Sequence, residues 1–271
     1  MKTSICHYSY HRVFAGENWS LEKLVGVVKE QGVDGIDFHA KFLPSSEEAP
    51  AAITAAMEGS GLELSGLSLS TNFNQADDEQ FRAQVDSAKQ WLKAAGAVKA
   101  PVSRVFGGSL KDRSDENIKA GLDRVVRALN ELVPVAEEQG VVLALENHGG
   151  LPCSGEEQVS VIEKINSPYL RATVDVGNYM AFPQEGHEGT AQAAKYCAYV
   201  HLKDMSPVQE NGRRRGVVIG RGEVDIPRCL KILKDSGYDG FVALEYEDQQ
   251  VDELDGVAES VTYMKKAIAE L

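Results

Sequence analysis

The sequence predicts an α/β fold, a (β/α)8 TIM barrel that forms one domain over residues 1–271. Apolar segments of strand length alternate with amphipathic helical segments along the whole chain. Eight such repeats fit into 271 residues, close to the roughly 250 that a barrel of this kind needs. No linker or low-complexity segment interrupts them. An open, doubly wound sheet is the alternative, but no G-x-G-x-x-G motif follows the first strand.

The composition narrows the classes of partner and compartment. A hydrophobic fraction of 43% is enough for a large core, and a net charge of −13 repels nucleic acid and anionic membranes. No apolar run is long enough to cross a membrane, and the N-terminus lacks the long apolar region of a signal peptide. The four cysteines are scattered without a C-x-x-C pair, as expected of reduced thiols. We therefore expect a cytoplasmic protein with no nucleic-acid or membrane partner.

The first half of the chain contains four strand–helix repeats. Ser20 is a suitable N-cap and Gly32 a suitable stop for the first helix. Pro134 lies inside the fourth helix, where a proline predicts a kink or break. The apolar runs predict strands at residues 3–9, 33–39, 62–69 and 102–106, followed by helices at 20–31, 46–59, 78–95 and 114–139.

The second half contains the other four repeats. Pro227 suits the first turn of the seventh helix, and another helix precedes Tyr196. The longest polar connection, from Asp204 to Gly222, follows the seventh strand. The predicted strands are 141–146, 170–176, 198–202 and 240–245, with further helices at 156–165 and about 252–269.

Four successive predicted strands end in residue types that commonly bind metals. They are Glu146, Asp175, His201 and Glu245. Strands buried on both faces give a carboxylate no solvent-facing side, so Glu146 needs a nearby cation. Neighbouring strands lie about 4.8 Å apart, so four adjacent ends can converge on one ion at the catalytic face of a barrel. Three carboxylates and one imidazole suit one divalent ion, Mn²⁺ first, then Mg²⁺, Co²⁺ or Zn²⁺. The alternative is that the acids cap loops and His201 is a core histidine.

The motifs around these residues resemble those of the xylose isomerase-like TIM barrels. That superfamily includes sugar and sugar-phosphate isomerases and epimerases, inosose dehydratases and isomerases, and endonuclease IV. The resemblance implies that the four residues named above hold the metal. One position departs from the family's D-x-G-H, because Asn178 stands where the family has histidine. The motifs are Glu146-Asn147-His148, Asp175-Val176-Gly177-Asn178, His201-Leu202-Lys203-Asp204, Gly220-Arg221-Gly222-Glu223-Val224-Asp225 and Glu245-Tyr246-Glu247.

The resemblance implies a sugar isomerase or epimerase. Such an enzyme removes a proton next to a carbonyl, and a metal stabilises the enediolate that forms. Glu146 and Glu245 are expected to act as base and acid on a sugar, sugar phosphate or cyclitol. The residues expected to contact the substrate or orient the ligands are Asn147, His148, Lys203 and Asp204.

The polar loop after the seventh strand is expected to act as a lid. It carries Arg213, Arg214, Arg215 and Arg221 in an otherwise acidic chain. A guanidinium binds hydroxyl, carboxylate or phosphate groups well, and the loop glycines provide hinges. At most one of the three consecutive arginines can point inward, with Arg221 the alternative. The competing interpretation is a solvated charge run.

Three other functions stay open at this point. A leaving group beta to the carbanion would make the same site an inosose-type dehydratase. A non-catalytic sugar-binding barrel is a second alternative. An endonuclease IV-like phosphodiesterase is disfavoured because Asn178 replaces a required histidine and the charge is −13. A homo-oligomer is compatible with the sequence.

Overall fold

The computed structural model describes all 271 residues and confirms the (β/α)8 barrel. Eight strands alternate with helices, and every pairing between barrel strands is parallel. The strands are β1 Lys2–Cys6, β2 Gly35–His39, β3 Glu63–Ser68, β4 Val102–Phe106, β5 Val142–Glu146, β6 Leu170–Asp175, β7 Cys197–Leu202 and β8 Phe241–Leu244.

The helices surround the strand ring. A hydrophobic cluster of 59 buried residues lies in this layer, and a smaller one of 5 residues includes Tyr199. No helix combines the length and apolar character that a bilayer crossing requires. The helices are α1 His11–Gly16, α2 Leu21–Glu30, α3 Ala49–Met57, α4 Asp78–Ala97, α5 Asp115–Gln139, α6 Gly155–Ile165, α7 Gly186–Ala193, α8 Ile226–Asp235 and α9 Glu253–Ala269.

The ring follows sequence order from β3 through β2, β1, β8, β7, β6 and β5 to β4. It closes between β3 and β4 through individual hydrogen bonds. The Leu69 amide donates to the Arg104 carbonyl at 2.8 Å, and the Ser103 hydroxyl donates to the Leu67 carbonyl at 2.9 Å. Because all strands run the same way, their C-terminal ends share one face of the barrel. This face contains the candidate site.

Two local predictions differ from the structure. The first strand ends at Cys6 rather than residue 9, and a helical turn at His7–Tyr10 leads directly into α1, which comes before the first predicted helix. Helix α5 continues through Pro134 without interruption. Proline removes one backbone donor, but the buried face of α5, which includes Leu129 and Val133, still packs against the core. The Ser20 cap is confirmed, since its Oγ accepts from the Lys23 amide.

His7 is buried in an aromatic cluster just after β1. Its ring centroid lies 4.4 Å from that of Phe14 and 4.8 Å from that of Phe42. Neither ring nitrogen has a hydrogen-bond partner. Burial lowers the pKa of His7 to about 3, because a charged imidazole would lose its hydration there. The ring is therefore neutral in the folded protein near pH 7.

We predict that His7 makes the protein less stable in mild acid. Below pH about 6.5 the unfolded chain protonates this histidine and the folded chain does not. Stability is therefore lost as pH falls from about 6.5 toward 3, by at most about 1.4 kcal/mol per pH unit. In urea titrations at pH 7 and pH 5, His7→Leu should lose less stability than the wild type. His187→Leu, on α7, is the control, and an equal pH response of wild type and His7→Leu would contradict the prediction.

Candidate metal and active site

Four side chains from consecutive barrel strands converge at the C-terminal face. Glu146 ends β5, Asp175 ends β6, His201 lies near the end of β7, and Glu245 follows β8. One ligand atom from each lies within 4.8 Å of those of the other three. All four residues are buried. The structure thus brings together the four residues that the sequence analysis selected as metal ligands.

Hydrogen bonds fix the ends of β5 and β6 relative to one another. The Asn147 amide group donates to the Asp175 carbonyl at 2.9 Å and accepts from the Asp175 amide at 3.0 Å. From α6, the buried Gln158 side chain donates to the carbonyls of Leu145 and Thr173. Asn147 was expected at the substrate or behind the ligands, and both its amide nitrogen and its amide oxygen take part in this clamp. Its position holds Glu146 and Asp175 side by side.

The donor set fits a divalent cation. Asp175 Oδ1 accepts from the amides of Gly177 and Asn178, whereas Oδ2 has no hydrogen-bond partner. Glu146 Oε2 is also buried without a hydrogen bond. His201 Nδ1 lies 3.1 Å from Glu146 Oε1 and 3.7 Å from Glu245 Oε1. Buried carboxylate oxygens crowded around an imidazole require positive charge, and oxygen with one nitrogen suits Mn²⁺ or Mg²⁺.

Lys203 provides one positive charge within this group. Its Nζ lies 2.7 Å from Glu245 Oε2 and 3.3 Å from both Asp175 Oδ2 and Glu247 Oε2. It also donates to Asn178 Oδ1 at 3.1 Å. Asn178, which stands where the family has histidine, therefore bridges Lys203 and the metal-ligand cluster. Lys203 was expected near the substrate, and the structure buries it among the carboxylates.

Arg104 provides a second positive charge that the sequence analysis missed. It lies in the middle of β4 and is 2% exposed. Its Nε lies 3.3 Å from Glu146 Oε2, and its Nη2 lies 3.9 Å from Glu245 Oε1. The sequence offered a signal for Arg104, because a charged residue inside a buried, otherwise mostly apolar strand must face polar groups in the interior.

These charges set the protonation of the cluster. Burial alone raises the pKa of Glu146, but Arg104 and His201 outweigh it and lower that pKa to about 2. The pKa of Glu245 is also well below its usual value, since Lys203, His201 and Arg104 outweigh its burial. Burial raises the pKa of Asp175 to about 7, although Lys203 opposes the shift. Burial disfavours the charged form of His201, but the charges of Glu146 and Glu245 outweigh it, so the pKa of His201 lies well above 6.5. A cation entering the cluster therefore competes with protons.

A cavity of about 220 Å³ opens above the cluster. Its floor includes Arg104 and Glu245. The His148 and Phe106 rings form one wall, stacked with centroids 3.7 Å apart. Burial lowers the pKa of His148 to about 4, so this ring is neutral near pH 7. His148 thus lies where a substrate contact was expected. The remaining lining residues are Tyr8, His39, Lys41, Ser70 and Glu247.

Asp204 has a different role from the one expected. Its carboxylate accepts hydrogen bonds from the amides of Met205, Gly220, Gly222 and Val224. A Cβ at Gly222 would lie 2.1 Å from Asp204 Oδ1, so only glycine fits there. The G-R-G motif therefore wraps around Asp204 and fixes the end of the loop. Both carboxylate oxygens are used by backbone donors, whereas the sequence analysis expected Asp204 to contact the substrate or orient the ligands.

The loop arginines do not line the cavity. Arg221 forms two hydrogen bonds to Glu259 on α9 at the surface. Arg214 pairs with Glu223, and Arg215 pairs with Asp248 at 3.1 Å. Arg213 lines a separate depression of about 600 Å³ that contains none of the four ligand residues. The structure thus does not bring Arg213 or Arg221 to the cluster, and the lid stays a prediction.

Comparison with known proteins gives one family and several relatives. A family model described as "Xylose isomerase-like TIM barrel" matches residues 25–267. A curated relative, L-ribulose-5-phosphate 3-epimerase UlaE of Escherichia coli O8 (strain IAI1), is 26% identical over 94% of this chain and 92% of its own.

Solved structures share the fold. D-psicose 3-epimerase of Clostridium cellulolyticum H10, with D-tagatose, has a TM-score of 0.78 at 17% identity and covers 99% of both chains. The 3-keto-D-glucoside 4-epimerase YcjR of E. coli has a TM-score of 0.78 at 16% identity and covers 98% of this chain and 99% of its own. These likenesses independently support the barrel.

Proposed function

Because this chain belongs to the xylose isomerase-like TIM-barrel family, we propose that it is a divalent-metal-dependent epimerase of a ketose or ketose phosphate. The observation that carries the proposal is the four-residue cluster of Glu146, Asp175, His201 and Glu245, next to a cavity that Glu245 lines. The names of the relatives, a ribulose-5-phosphate 3-epimerase and a psicose 3-epimerase, support this class of reaction. The chain is thus assigned to the isomerase class of enzymes.

The four clustered residues would hold the ion. When bound, a divalent ion supplies a Lewis acid that polarises the substrate carbonyl and favours the negative charge that develops on oxygen. The rest of the chemistry is proton transfer by the chain's own carboxyls. Glu245 lines the cavity, whereas Glu146 is fully buried behind it and lies against Arg104.

Both carboxyls start ionised, because their pKa values are depressed. Glu245 takes the proton from the carbon next to the carbonyl, the electron pair of the broken C–H bond forms a C=C bond, and the carbonyl π pair moves onto oxygen. When the carbonyl forms again, the opposite face receives a proton that Glu146 relays from water, and Glu245 releases its own proton to water. One proton leaves the substrate and one enters it, so both carboxyls end ionised as they began.

The surrounding residues exclude water and fix the reacting groups. Lys203 holds Glu245, and the stacked pair of Phe106 and His148 closes one side of the cavity. We further propose that residues 1–271 act as one domain, since one hydrophobic cluster runs through the helical layer without a linker.

Proton exchange with solvent tests this function. The protein is incubated in D₂O with Mn²⁺, Mg²⁺, Co²⁺ or Zn²⁺ and a panel of ketoses, ketose phosphates and inososes, followed by NMR. We expect one ketose or ketose phosphate to lose a proton signal next to its carbonyl as a second epimer accumulates. Loss of water from an inosose would indicate the dehydratase instead. Absence of both reactions in metal-loaded protein would contradict the proposal.

Lys41 is placed to discriminate phosphorylated from free ketoses. It lies at the cavity mouth, exposed, with its Nζ 5.5 Å from the Phe42 ring centroid and in no ion pair. A phosphate on the far end of the sugar would meet this ammonium. We predict that Lys41→Met raises KM for a ketose phosphate roughly tenfold, the order of one charge-assisted hydrogen bond, and changes KM for the free ketose less than twofold.

The control for Lys41 is Lys231→Met, which removes the same charge from the surface of α8, where Lys231 pairs with Asp235. It should leave both KM values unchanged. Equal effects of Lys41→Met on both substrates would show that Lys41 does not read phosphate.

A further inference from the structure

No sequence motif selected Arg104 as a residue of the site. It is a barrel-strand arginine, 2% exposed, between two carboxylates of the cluster. Burying a guanidinium is expensive, and its five N–H donors normally all find acceptors. If Arg104 had only a structural role, all of its N–H donors would be hydrogen-bonded to the protein.

The protein does not provide acceptors for all the N–H donors of Arg104. Of its three nitrogens only Nη1 donates a hydrogen bond, to the Leu69 carbonyl at 3.2 Å. Nε is buried with no hydrogen-bond partner, although Glu146 Oε2 lies 3.3 Å away. Nη2 donates to nothing and lies 3.9 Å from Glu245 Oε1, at the floor of the cavity. Nε thus faces Glu146, and Nη2 is the guanidinium nitrogen left free beside the cavity that Arg104 and Glu245 line.

Packing fixes the orientation of the guanidinium. Its Cζ lies 4.1 Å from the centroid of the Phe106 ring, and the Phe106 ring is itself stacked with the His148 ring. Both rings line the same cavity. A guanidinium held on an aromatic ring cannot easily turn toward other acceptors, so its free donors are preorganised.

We propose that Arg104 is a substrate-contacting catalytic residue, whose Nη2 donates to the sugar oxygen that becomes negative when the neighbouring carbon loses its proton. The inference rests on the proposed function and adds a protein donor to the charge stabilisation that the metal supplies. Removing a preorganised donor of this kind typically lowers kcat about 10²- to 10³-fold. The substrate class that fits is a ketose whose carbonyl or adjacent hydroxyl oxygen reaches the floor beside Glu245.

A merely structural role makes a different prediction about the metal. If Arg104 only held Glu146 in place, its removal would displace a ligand and weaken metal binding. If Arg104 contacts substrate, its removal takes one positive charge away from the cluster, and divalent affinity stays the same or rises. Metal affinity, measured without turnover, therefore separates the two roles.

The experiment compares Arg104→Lys, Arg104→Met and Arg104→Ala with wild type. Mn²⁺ affinity is measured by calorimetric titration, and kcat and KM with the ketose that exchanges its proton. We expect Mn²⁺ affinity within about threefold of wild type or tighter, and kcat lower by about 10²- to 10³-fold in all three variants. Methylguanidinium added to Arg104→Ala should raise the kcat of that variant at least tenfold. The control is Arg127→Ala, which removes a surface arginine of α5 paired with Asp78. It should change neither Mn²⁺ affinity nor kcat.

Several results would overturn the inference. Wild-type kcat in Arg104→Lys and Arg104→Met refutes it, as does Mn²⁺ affinity more than tenfold weaker without methylguanidinium rescue. If wild type exchanges no ketose proton, the proposed function fails separately, and ketose binding by calorimetry becomes the test. Arg104→Met must then weaken that binding at least tenfold. A folded wild type that binds no ketose refutes both proposals, and Arg104→Lys, which keeps the charge, covers the case in which the smaller variants do not fold.

Discussion

Glu146→Gln and Glu245→Gln are each expected to lower ketose proton exchange by about 10²- to 10⁴-fold, the usual loss when a general acid or base is removed. Glutamine keeps the volume of each side chain and an oxygen that can still face the ion. It cannot accept the substrate proton at neutral pH. Exchange at the carbon next to the carbonyl, followed by NMR in D₂O, measures the proton-transfer step directly.

Stability is expected to fall in the same variants. Glu245 Oε2 lies 2.7 Å from Lys203 Nζ, and Glu146 Oε2 lies 3.3 Å from Arg104 Nε. Losing one carboxylate leaves a buried cation with less compensation, which typically costs about 3–5 kcal/mol. The double variant Glu245→Gln/Lys203→Met should recover part of the stability and none of the exchange. That pattern separates the chemical role from the structural one.

The neighbouring Glu247 is the matched comparison. It also lies 3.3 Å from Lys203 Nζ and lines the cavity, but it is outside the four-residue cluster. Glu247→Gln should lower exchange less than tenfold. Wild-type exchange in Glu146→Gln or Glu245→Gln would remove that residue from the mechanism, and an equal loss in all three variants would point to a general electrostatic effect.

One divalent ion per chain is the second large expectation. Each of the four side chains supplies one ligand atom, and changes even to residues behind metal ligands cost about 10- to 100-fold in affinity, so loss of one ligand should weaken binding by on the order of 10²-fold or more. Asp175→Ala and His201→Ala are the variants that test it. Elemental analysis should give one ion in wild type, and EDTA should abolish exchange until Mn²⁺ is restored.

Metal binding should also depend on pH with a defined sign. The pKa of Asp175 is raised to about 7 and that of His201 lies well above 6.5, so both carry protons that an ion must displace. Affinity should therefore rise as pH increases through neutrality. At an ion concentration 100 times Kd, binding adds about 2.7 kcal/mol to stability, which a thermal melt detects as a higher Tm.

A competing location for the ion lies on the opposite side of His201. Ligand atoms of Cys6, Asp37 and His201 also fall within 4.8 Å of one another. His201 Nε2 lies 3.9 Å from Asp37 Oδ2 and has no hydrogen bond. Cys6→Ser should have a metal affinity within about tenfold of wild type, since Cys6 is outside the proposed ligand set. Loss of the ion in Cys6→Ser with retention in Asp175→Ala would place the metal on this other side.

The sequence by itself determined the barrel and the four clustered residues. Apolar strands alternating with helices require a parallel sheet, and parallel strands present all their C-terminal ends on one face. Glu146, Asp175, His201 and Glu245 could be selected because each stands at such an end, where a buried strand has no other place for a charge. Local rules were less reliable where packing opposed them, as in α5, which continues through Pro134.

Only the tertiary structure decided the partners of the remaining charged residues. Asp204 was expected at the substrate, but Gly220, Gly222 and Val224 fold back and donate to it. Arg104 reaches Glu146 from the neighbouring strand and Glu245 from across the barrel. A pattern along one strand gives the side to which a residue points. Barrel closure and register, which depend on contacts far apart in sequence, decide which charges and donors it meets there.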